Sequence, residues 1–536
     1  MFPTQKRRIF MLYSHLAPES LLKRTGVDHP SQNLVKASLS SHQRLSQHQL
    51  RLYSSDETSS TSGDIIQELK NHVSGFLPMS LVEKFIKGYR ALPPYKTHIA
   101  PESTPRAQFL IRLAQEYPFS TEETKLVTSE KGTERNPDNV SISDLYYLFE
   151  EIFSKNVTYP RSPNPLPEEP DPLQFLLHLR QDVLLITGDL KKGDRTNGGV
   201  ALEVSLRSLN LLDASLKSLF SRYFDSSFLK LNRLTMMSPS IIFQRIINKE
   251  RVHPFRGEGW LDIQQRIGPA RRLFYFESEC SSLPLAFVQV ALFPQIATNM
   301  NQILGDTPSL RSEKEATCAI FYSISAAEPG LRGIELGNPL IKQSASQLRR
   351  ELPNLRQFYT LSPIPGFLSW LEKNLKAKPS GTLTNQECAS IEKYFPENKA
   401  SCTVAEIVKK ARATSRSAEC DEKSILKQIR QSPHLEDLWR PIFMRLCAQY
   451  LLTEKRENYQ GFCAMDPVTN FHVRNGARVA QLNWCGDMST ERVRQSFGIM
   501  VNYQYEFDHI DARNKAYMEN GQVDVDETRM RKWITE

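Results

Sequence analysis

Residues 316–367 constrain the fold more than any other stretch, because they set a strand, a glycine loop, a helix and a second strand in immediate succession. The apolar run Ala-Thr-Cys-Ala-Ile-Phe-Tyr-Ser-Ile-Ser (316–325) suits a buried strand. The loop Gly-Leu-Arg-Gly-Ile-Glu-Leu-Gly (330–337) comes next. Asn338 is then a good N-cap and Pro339 a good first helical residue, with Leu340, Ile341, Ala345, Leu348 and Leu352 forming one apolar face. A second strand closes on Leu-Ser-Pro-Ile-Pro-Gly-Phe (361–367). Glycines let a backbone approach a ligand, and a helix N-terminus offers free N–H donors with a favourable dipole. Arg332, Gly333, Ile334, Glu335, Leu336, Gly337 and Asn338 are therefore candidates for a phosphate seat. A plain strand–turn–helix crossover uses the same residues, and the local pattern leaves both readings open. The glycine spacing matches neither a Walker loop nor a dinucleotide fingerprint.

The rest of the chain splits by texture. Helical patterns occupy Met79–Ala91, 106–115 and 142–153, and Asp64 with Gln67 has the spacing of a capping box. Six prolines between 160 and 172 predict an extended connector, ending in Asp171-Pro172 as an N-cap and first helical residue. An apolar stripe follows (Leu173, Leu176, Leu177, Leu179, Val183, Leu184), then leucines at 202, 206, 209, 212, 216 and 219 in helical rhythm. Residues 60–222 thus read as an all-helical domain. Short strand-like runs at 272–276, 285–293 and 316–324 then alternate with helices, so residues 223–536 read as a mixed α/β domain and the whole as α+β. A Lys/Ser/Thr-rich insertion around 377–418 is expected at the surface.

Charge is concentrated in the first 55 residues, which carry eight Lys/Arg against Glu19 and Asp28. Of the formal +8, that segment holds +6 and leaves the body nearly neutral, which argues against a nucleic-acid footprint. Its Ser, Gln, His and Leu content and scarcity of acids predict a mitochondrial transit peptide over 1–55, with Arg51-Leu-Tyr-Ser-Ser as the processing region. The final residues are not a peroxisomal Ser-Lys-Leu address. No apolar run reaches membrane-spanning length. All eight cysteines follow residue 279 without a Cys-x-x-Cys pair, which suits reduced thiols and no structural metal.

Three polar residues are candidates for chemistry. Ser362 precedes Pro-Ile-Pro-Gly, whose prolines stiffen the turn and hold its hydroxyl in place. His472 is read as a strand residue before an Asn475-Gly476 turn. Glu335 stands in the loop, where a carboxylate opposes phosphate binding, so it either points to solvent or orients a catalytic group. Alone, each residue also has an ordinary structural explanation.

Together they resemble the malonyl-CoA decarboxylases. The resemblance runs from about residue 64 to 510 and is densest in four places: Val252-His-Pro with Arg266-Ile-Gly-Pro; 321–337; Leu361–Phe367; and Asp466-Pro-Val-Thr-Asn-Phe-His472 on to Asn483-Trp484. It implies a helical oligomerisation domain, a homotetramer, and a catalytic domain similar to the GNAT acyltransferases, whose strand–loop–helix seats the CoA pyrophosphate. It implies Ser362 and His472 as catalytic residues, with Glu335 and Tyr505 in support. Malonyl-CoA loses CO₂ to give acetyl-CoA, which bears on fatty acid metabolism. No cofactor or metal is called for, because the thioester is its own electron sink. On this reading Ser362 binds the malonyl carboxylate and accepts a proton, while His472 donates a proton to carbon. The expected location is the mitochondrial matrix, with room for a cytoplasmic or peroxisomal pool. Two rivals are a CoA-dependent acyltransferase on the same fold and a non-catalytic acyl-CoA sensor.

Overall fold

A computed structural model describes residues 65–69, 79–97, 100–116, 149–150, 152, 172–192, 199–224, 229–257, 259–278, 281–305, 313–378, 381–413, 425–458 and 461–534. The expected transit peptide, the Asp64 cap, most of the 142–153 helix and the proline connector as far as 171 lie outside these residues.

Helices come first: α1 (Met79–Ala91), α2 (Pro105–Glu116), α3 (Pro172–Lys192) and α4 (Gly199–Tyr223). As the apolar spacing predicts, Leu173, Leu176, Leu177, Leu179 and Val183 of α3 are buried, as are Leu209, Leu212, Leu216 and Leu219 of α4. Strands and helices then alternate as β1 (Leu229–Arg233), α5 (Ser240–Lys249), α6 (Trp260–Arg266), β2 (Arg271–Ser278), β3 (Ser281–Phe293), α7 (Met300–Leu304) and β4 (Cys318–Ala326). Next are α8 (Gly337–Glu351), β5 (Gln357–Thr360), β6 (Ser362–Pro363), α9 (Phe367–Ala377), α10 (Asn385–Tyr394), α11 (Ala400–Ala413), α12 (Ile425–Gln431) and α13 (Pro433–Leu452). The chain ends with β7 (Lys455–Asn458), β8 (Gly461–Ala464), α14 (Pro467–Arg474), β9 (Arg478–Asn483), α15 (Thr490–Ser496), β10 (Met500–Gln504), α16 (Ile510–Asn520) and α17 (Glu527–Ile534).

One mixed sheet orders its strands β1-β2-β3-β4-β5-β10-β6, with β9 also paired to β10. Pairs among β1 to β4 are antiparallel, whereas β4 and β5 run parallel with α8 as the crossover. The apolar runs at 272–276, 285–293 and 316–324 are strands, and their side chains are almost all buried. Parallel pairing stops at Phe321–Thr360, yet β4 continues to Ala326. The strands part there, leaving one edge of residues 322–326 without a strand partner at the carboxyl ends of the parallel pair. Open α/β sheets bind ligands at such a place.

Where it is described, the 377–418 insertion is not the exposed loop its composition suggests. Residues 385–394 and 400–413 are helices, with Ile391, Val404, Ile407, Val408 and Ala411 buried. The spacing 404, 407, 408 and 411 is one apolar helical face, and the Lys and Ser residues cover the other. Among the described residues no helix is long and apolar enough to cross a membrane, and six of the cysteines are free thiols.

Candidate active site

His472 stands on a helix, contrary to the strand expected from its sequence neighbourhood. Asp466-Pro467 is the same start signal as Asp171-Pro172: the Asp466 carboxylate accepts from Val468 and Thr469 N–H, both at 2.9 Å, and Pro467 opens α14. Asn475 then caps the helix and Gly476 leaves it, so the Asn-Gly signal marks a helix end rather than a hairpin. Asp466 is fully buried, and burial pushes its carboxyl above the usual range while those N–H donors and the Thr469 hydroxyl pull it back. Thr469 also bonds the Tyr503 hydroxyl at 2.7 Å, and the His472 ring stacks on the Tyr503 ring with centroids 4.4 Å apart. Cap, hydroxyl pair and stack fix the imidazole against β10.

Ser362 reaches the same place from β6. It pairs with Val501 of β10, and its Oγ donates to Thr360 Oγ1 at 2.9 Å. That Oγ lies 3.1 Å from His472 Nε2, while His472 Nδ1 lies 2.9 Å from the Tyr505 hydroxyl. All three residues are buried. Burial keeps the Tyr505 phenol protonated by raising its pKa, so it can donate to Nδ1. The neutral ring then carries its proton on Nε2, aimed at Ser362. Burial alone lowers the His472 pKa to about 3.

Ser362 and His472 open on a pocket of about 580 Å³, lined on its other side by the entire run 332–338. Tyr505 stands behind the imidazole, outside the lining. Gly333 turns with φ +80°, a conformation that glycine takes without strain. Gly337 begins α8 against Phe471: a Cβ there would meet the Phe471 ring at 2.5 Å, so glycine is what lets α14 approach the loop. The helix starts two residues earlier than expected. Leu336 occupies the cap and Asn338 lies inside the first turn, correcting its expected N-cap role. Asn338 Oδ1 is buried and unpartnered beside the pocket. Glu335 is at the rim, two-thirds exposed, pairing with Arg474 at 2.9 Å; no hydrogen bond joins it to Ser362 or His472.

One pocket-lining residue, Lys217, and two residues that brace the site from behind escaped the sequence reading. Lys217 of α4 hangs over the loop, its Nζ 3.9 Å from where a Gly333 Cβ would sit, and Arg180 of α3 donates to the Gly330 carbonyl. Ser323 Oγ, on β4, donates to buried Glu250 at 2.7 Å, which braces the strand beside the pocket. Only the exposed phase of the α4 leucine repeat could have flagged Lys217; the contacts of Arg180 have no local signature.

A family model described as Malonyl-CoA decarboxylase C-terminal domain matches residues 227–535. Mitochondrial malonyl-CoA decarboxylase of the goose Anser anser anser is 35% identical over 350 residues, 65% of this chain and 63% of that protein's length, just under two thirds. The Rattus norvegicus counterpart is 35% identical over 358 residues, covering 62% of this chain and 68% of the rat protein. Solved malonyl-CoA decarboxylase structures agree: that of Rhodopseudomonas palustris has a TM-score of 0.61 at 27% identity, covering 89% of this chain and 98% of its own. That of Agrobacterium vitis has a TM-score of 0.63 at 25% identity, covering 89% and 100%. With more than half its length inside the family model, this chain belongs to the malonyl-CoA decarboxylase family.

Proposed function

We propose that the protein converts malonyl-CoA to acetyl-CoA and CO₂, and so lowers malonyl-CoA supply to fatty acid metabolism. The observation that carries this reading is the buried series Ser362–His472–Tyr505 opening on a pocket walled by the glycine loop. Loss of CO₂ moves an electron pair from the breaking C–C bond into the thioester, giving an enolate that must then gain a proton at carbon. Ser362 Oγ binds the malonyl carboxylate. The carboxylate also supplies the counter-charge that His472 lacks, so the ring takes up a solvent proton on binding. The solvent proton enters at Nδ1, where Tyr505 accepts from it while the ring is cationic, and as CO₂ leaves Nε2–H delivers its own proton to the new methyl carbon. General acid catalysis of this kind contributes roughly 10²–10⁴-fold. Main-chain N–H groups on the unpaired edge of β4 would meet the enolate oxygen, each worth about 10²–10³.

The loop 332–338, with the α8 N-terminus, seats the CoA phosphates in the manner of a GNAT-type acyltransferase, and Lys217 and Arg332 add positive charge. Glu335 acts from the rim by fixing Arg474 on the His472 helix. The helices of residues 60–222 assemble the homo-oligomer, a tetramer on the resemblance. The names of the goose and rat relatives, with the acid-poor leader, support a mitochondrial location.

The decisive assay incubates purified protein with malonyl-CoA and no acceptor, reading acetyl-CoA by mass spectrometry. Acetyl-CoA formation that falls about 10²-fold or more in His472→Asn supports the assignment. Turnover that needs an added amine or alcohol would point to acyl transfer, and binding without turnover to a sensor.

A further inference from the structure

A second cleft, of about 870 Å³, lies between α12, α13, β9 and the C-terminal helix α17, and shares no lining residue with the pocket at Ser362. Its volume lies within the range of small-molecule sites. Arg430, Arg440, Arg529, Arg531 and Lys532 line it against one carboxylate, Glu436. That carboxylate is already engaged, accepting from the Trp484 indole N–H at 2.8 Å. Arg529 has partial compensation from Asp526 at 3.6 Å and donates to the Tyr359 hydroxyl. Arg430 and Arg440 have neither an ion pair nor a side-chain hydrogen bond among the described residues.

A chain whose body is nearly neutral has gathered five like charges around one concavity. Such a group repels itself unless an anion sits among it, and a concave low-dielectric wall concentrates its field. Arg531 is engaged, as Arg529 is, so the uncompensated charge is that of Arg430 and Arg440, and adjacent phosphates suit two guanidinium forks at once. Two indoles, Trp484 and Trp533, share the lining, and Lys532 Nζ lies 4.8 Å from the Trp533 ring centroid. Indole faces beside phosphate-binding cations suit a planar base.

The cleft wall is also wired to the reaction. Gln481 Nε2 donates to Asn483 Oδ1 at 2.7 Å, Asn483 Nδ2 to Asn502 Oδ1 at 2.7 Å, and Asn502 Nδ2 to the Thr360 carbonyl at 2.7 Å. Thr360 in turn holds Ser362 through its hydroxyl. A ligand pressing on β9 therefore acts on the side chain that positions the serine.

We infer that this cleft is an effector site for a nucleoside polyphosphate, set apart from the acyl-CoA pocket. The test titrates the full chain with ATP, inorganic tripolyphosphate and adenosine, following tryptophan fluorescence at about 0.15 M salt. ATP should bind saturably, more tightly than tripolyphosphate, and weaken as salt rises; adenosine should not bind. In Arg430→Gln/Arg440→Gln, both exposed positions, ATP affinity should fall at least tenfold with the circular dichroism spectrum unchanged. Saturating ATP should also alter kcat for malonyl-CoA in the parent and not in the double variant, which separates the cleft from competition at the CoA loop. Failure of ATP to bind, or binding indifferent to the double variant, would overturn the site. Equal affinity for tripolyphosphate would remove the nucleoside from the inference, and unchanged kcat would remove its effector role. Because binding is read without any turnover, its failure is distinct from failure of the decarboxylase reading.

Discussion

At the scale of single residues, the site depends on where one proton sits. His472 has two hydrogen-bonding partners of different kinds: a phenol on Nδ1 and a serine on Nε2. Replacing Tyr505 with Phe removes the Nδ1 partner and leaves the serine contact untouched. The ring nitrogen is then buried without a partner, a loss of about 1–3 kcal/mol that falls on the protonated ring more than on substrate binding. Tyr505→Phe should therefore lower kcat roughly 5- to 150-fold with little change in KM. An unchanged kcat would remove Tyr505 from the proton path. Lys217 gives the complementary case. Lys217→Glu should raise KM for malonyl-CoA severalfold, yet leave malonyl-pantetheine, which lacks the nucleotide phosphates, unaffected. An equal rise for both substrates would mean that the lysine shapes the pocket without binding phosphate.

At the scale of elements, α14 converts a cap into a fixed position for His472, the proposed proton donor. The Asp466 carboxylate receives two main-chain N–H groups and the Thr469 hydroxyl, and that threonine in turn holds Tyr503 under the imidazole. Asp466→Ala should cost about 1–2 kcal/mol of stability, seen as a lower denaturant midpoint, and reduce kcat through a loosened His472. Asp466→Asn keeps an acceptor oxygen and avoids a buried charge, so it should retain most of both. An alanine variant as stable as the parent would show that the helix start is held by packing alone. This element also shows what the sequence makes legible. β2, β3 and β4 announce themselves because buried strands are continuous apolar runs, and the helix starts at Pro172 and Pro467 follow one local rule. His472 was misplaced because an Asn-Gly pair ends helices as well as making hairpins, and the cap six residues upstream outweighs it. Ser362, His472 and Tyr505 meet through the β6–β10 and α14–β10 contacts, which no local pattern contains. The 377–418 helices were hidden by averaging composition over two faces that face opposite ways.

At the scale of the whole molecule, acid stability reports how deeply these groups are buried. His253 and His472 both have their pKa lowered to about 3: His472 by burial alone, His253 by burial first and then by Arg492 and Arg266 beside it. His178 is lowered as well, mainly by burial. In the unfolded chain each histidine titrates near 6.5, so between that pH and about 3 the unfolded state binds more protons. The folded-state pKa is depressed, so the stabilisation is fully present above the unfolded value and is lost as pH falls. Each such histidine approaches a slope of about 1.4 kcal/mol per pH unit below 6.5, so His253 and His472 together remove about 3 kcal/mol between pH 6.5 and 5. Asp466 works in the opposite sense, since its raised pKa makes protonation favour the folded state, and Glu313, lowered to about 2 chiefly by its hydrogen bond from Arg272, loses stability only at lower pH. The histidines therefore govern the range from 6.5 to 5. Against a typical total of about 5–15 kcal/mol, that loss is a substantial fraction of the stability. Urea midpoints measured at half-unit steps from pH 7.5 to 5 should hold level at the top and then fall steeply below 6.5. His472→Asn should take away close to half of that slope while remaining folded at pH 7. A midpoint independent of pH across this range would mean that both imidazoles reach solvent, and the neutral, proton-poised His472 on which the proposed reaction is built would fall with it.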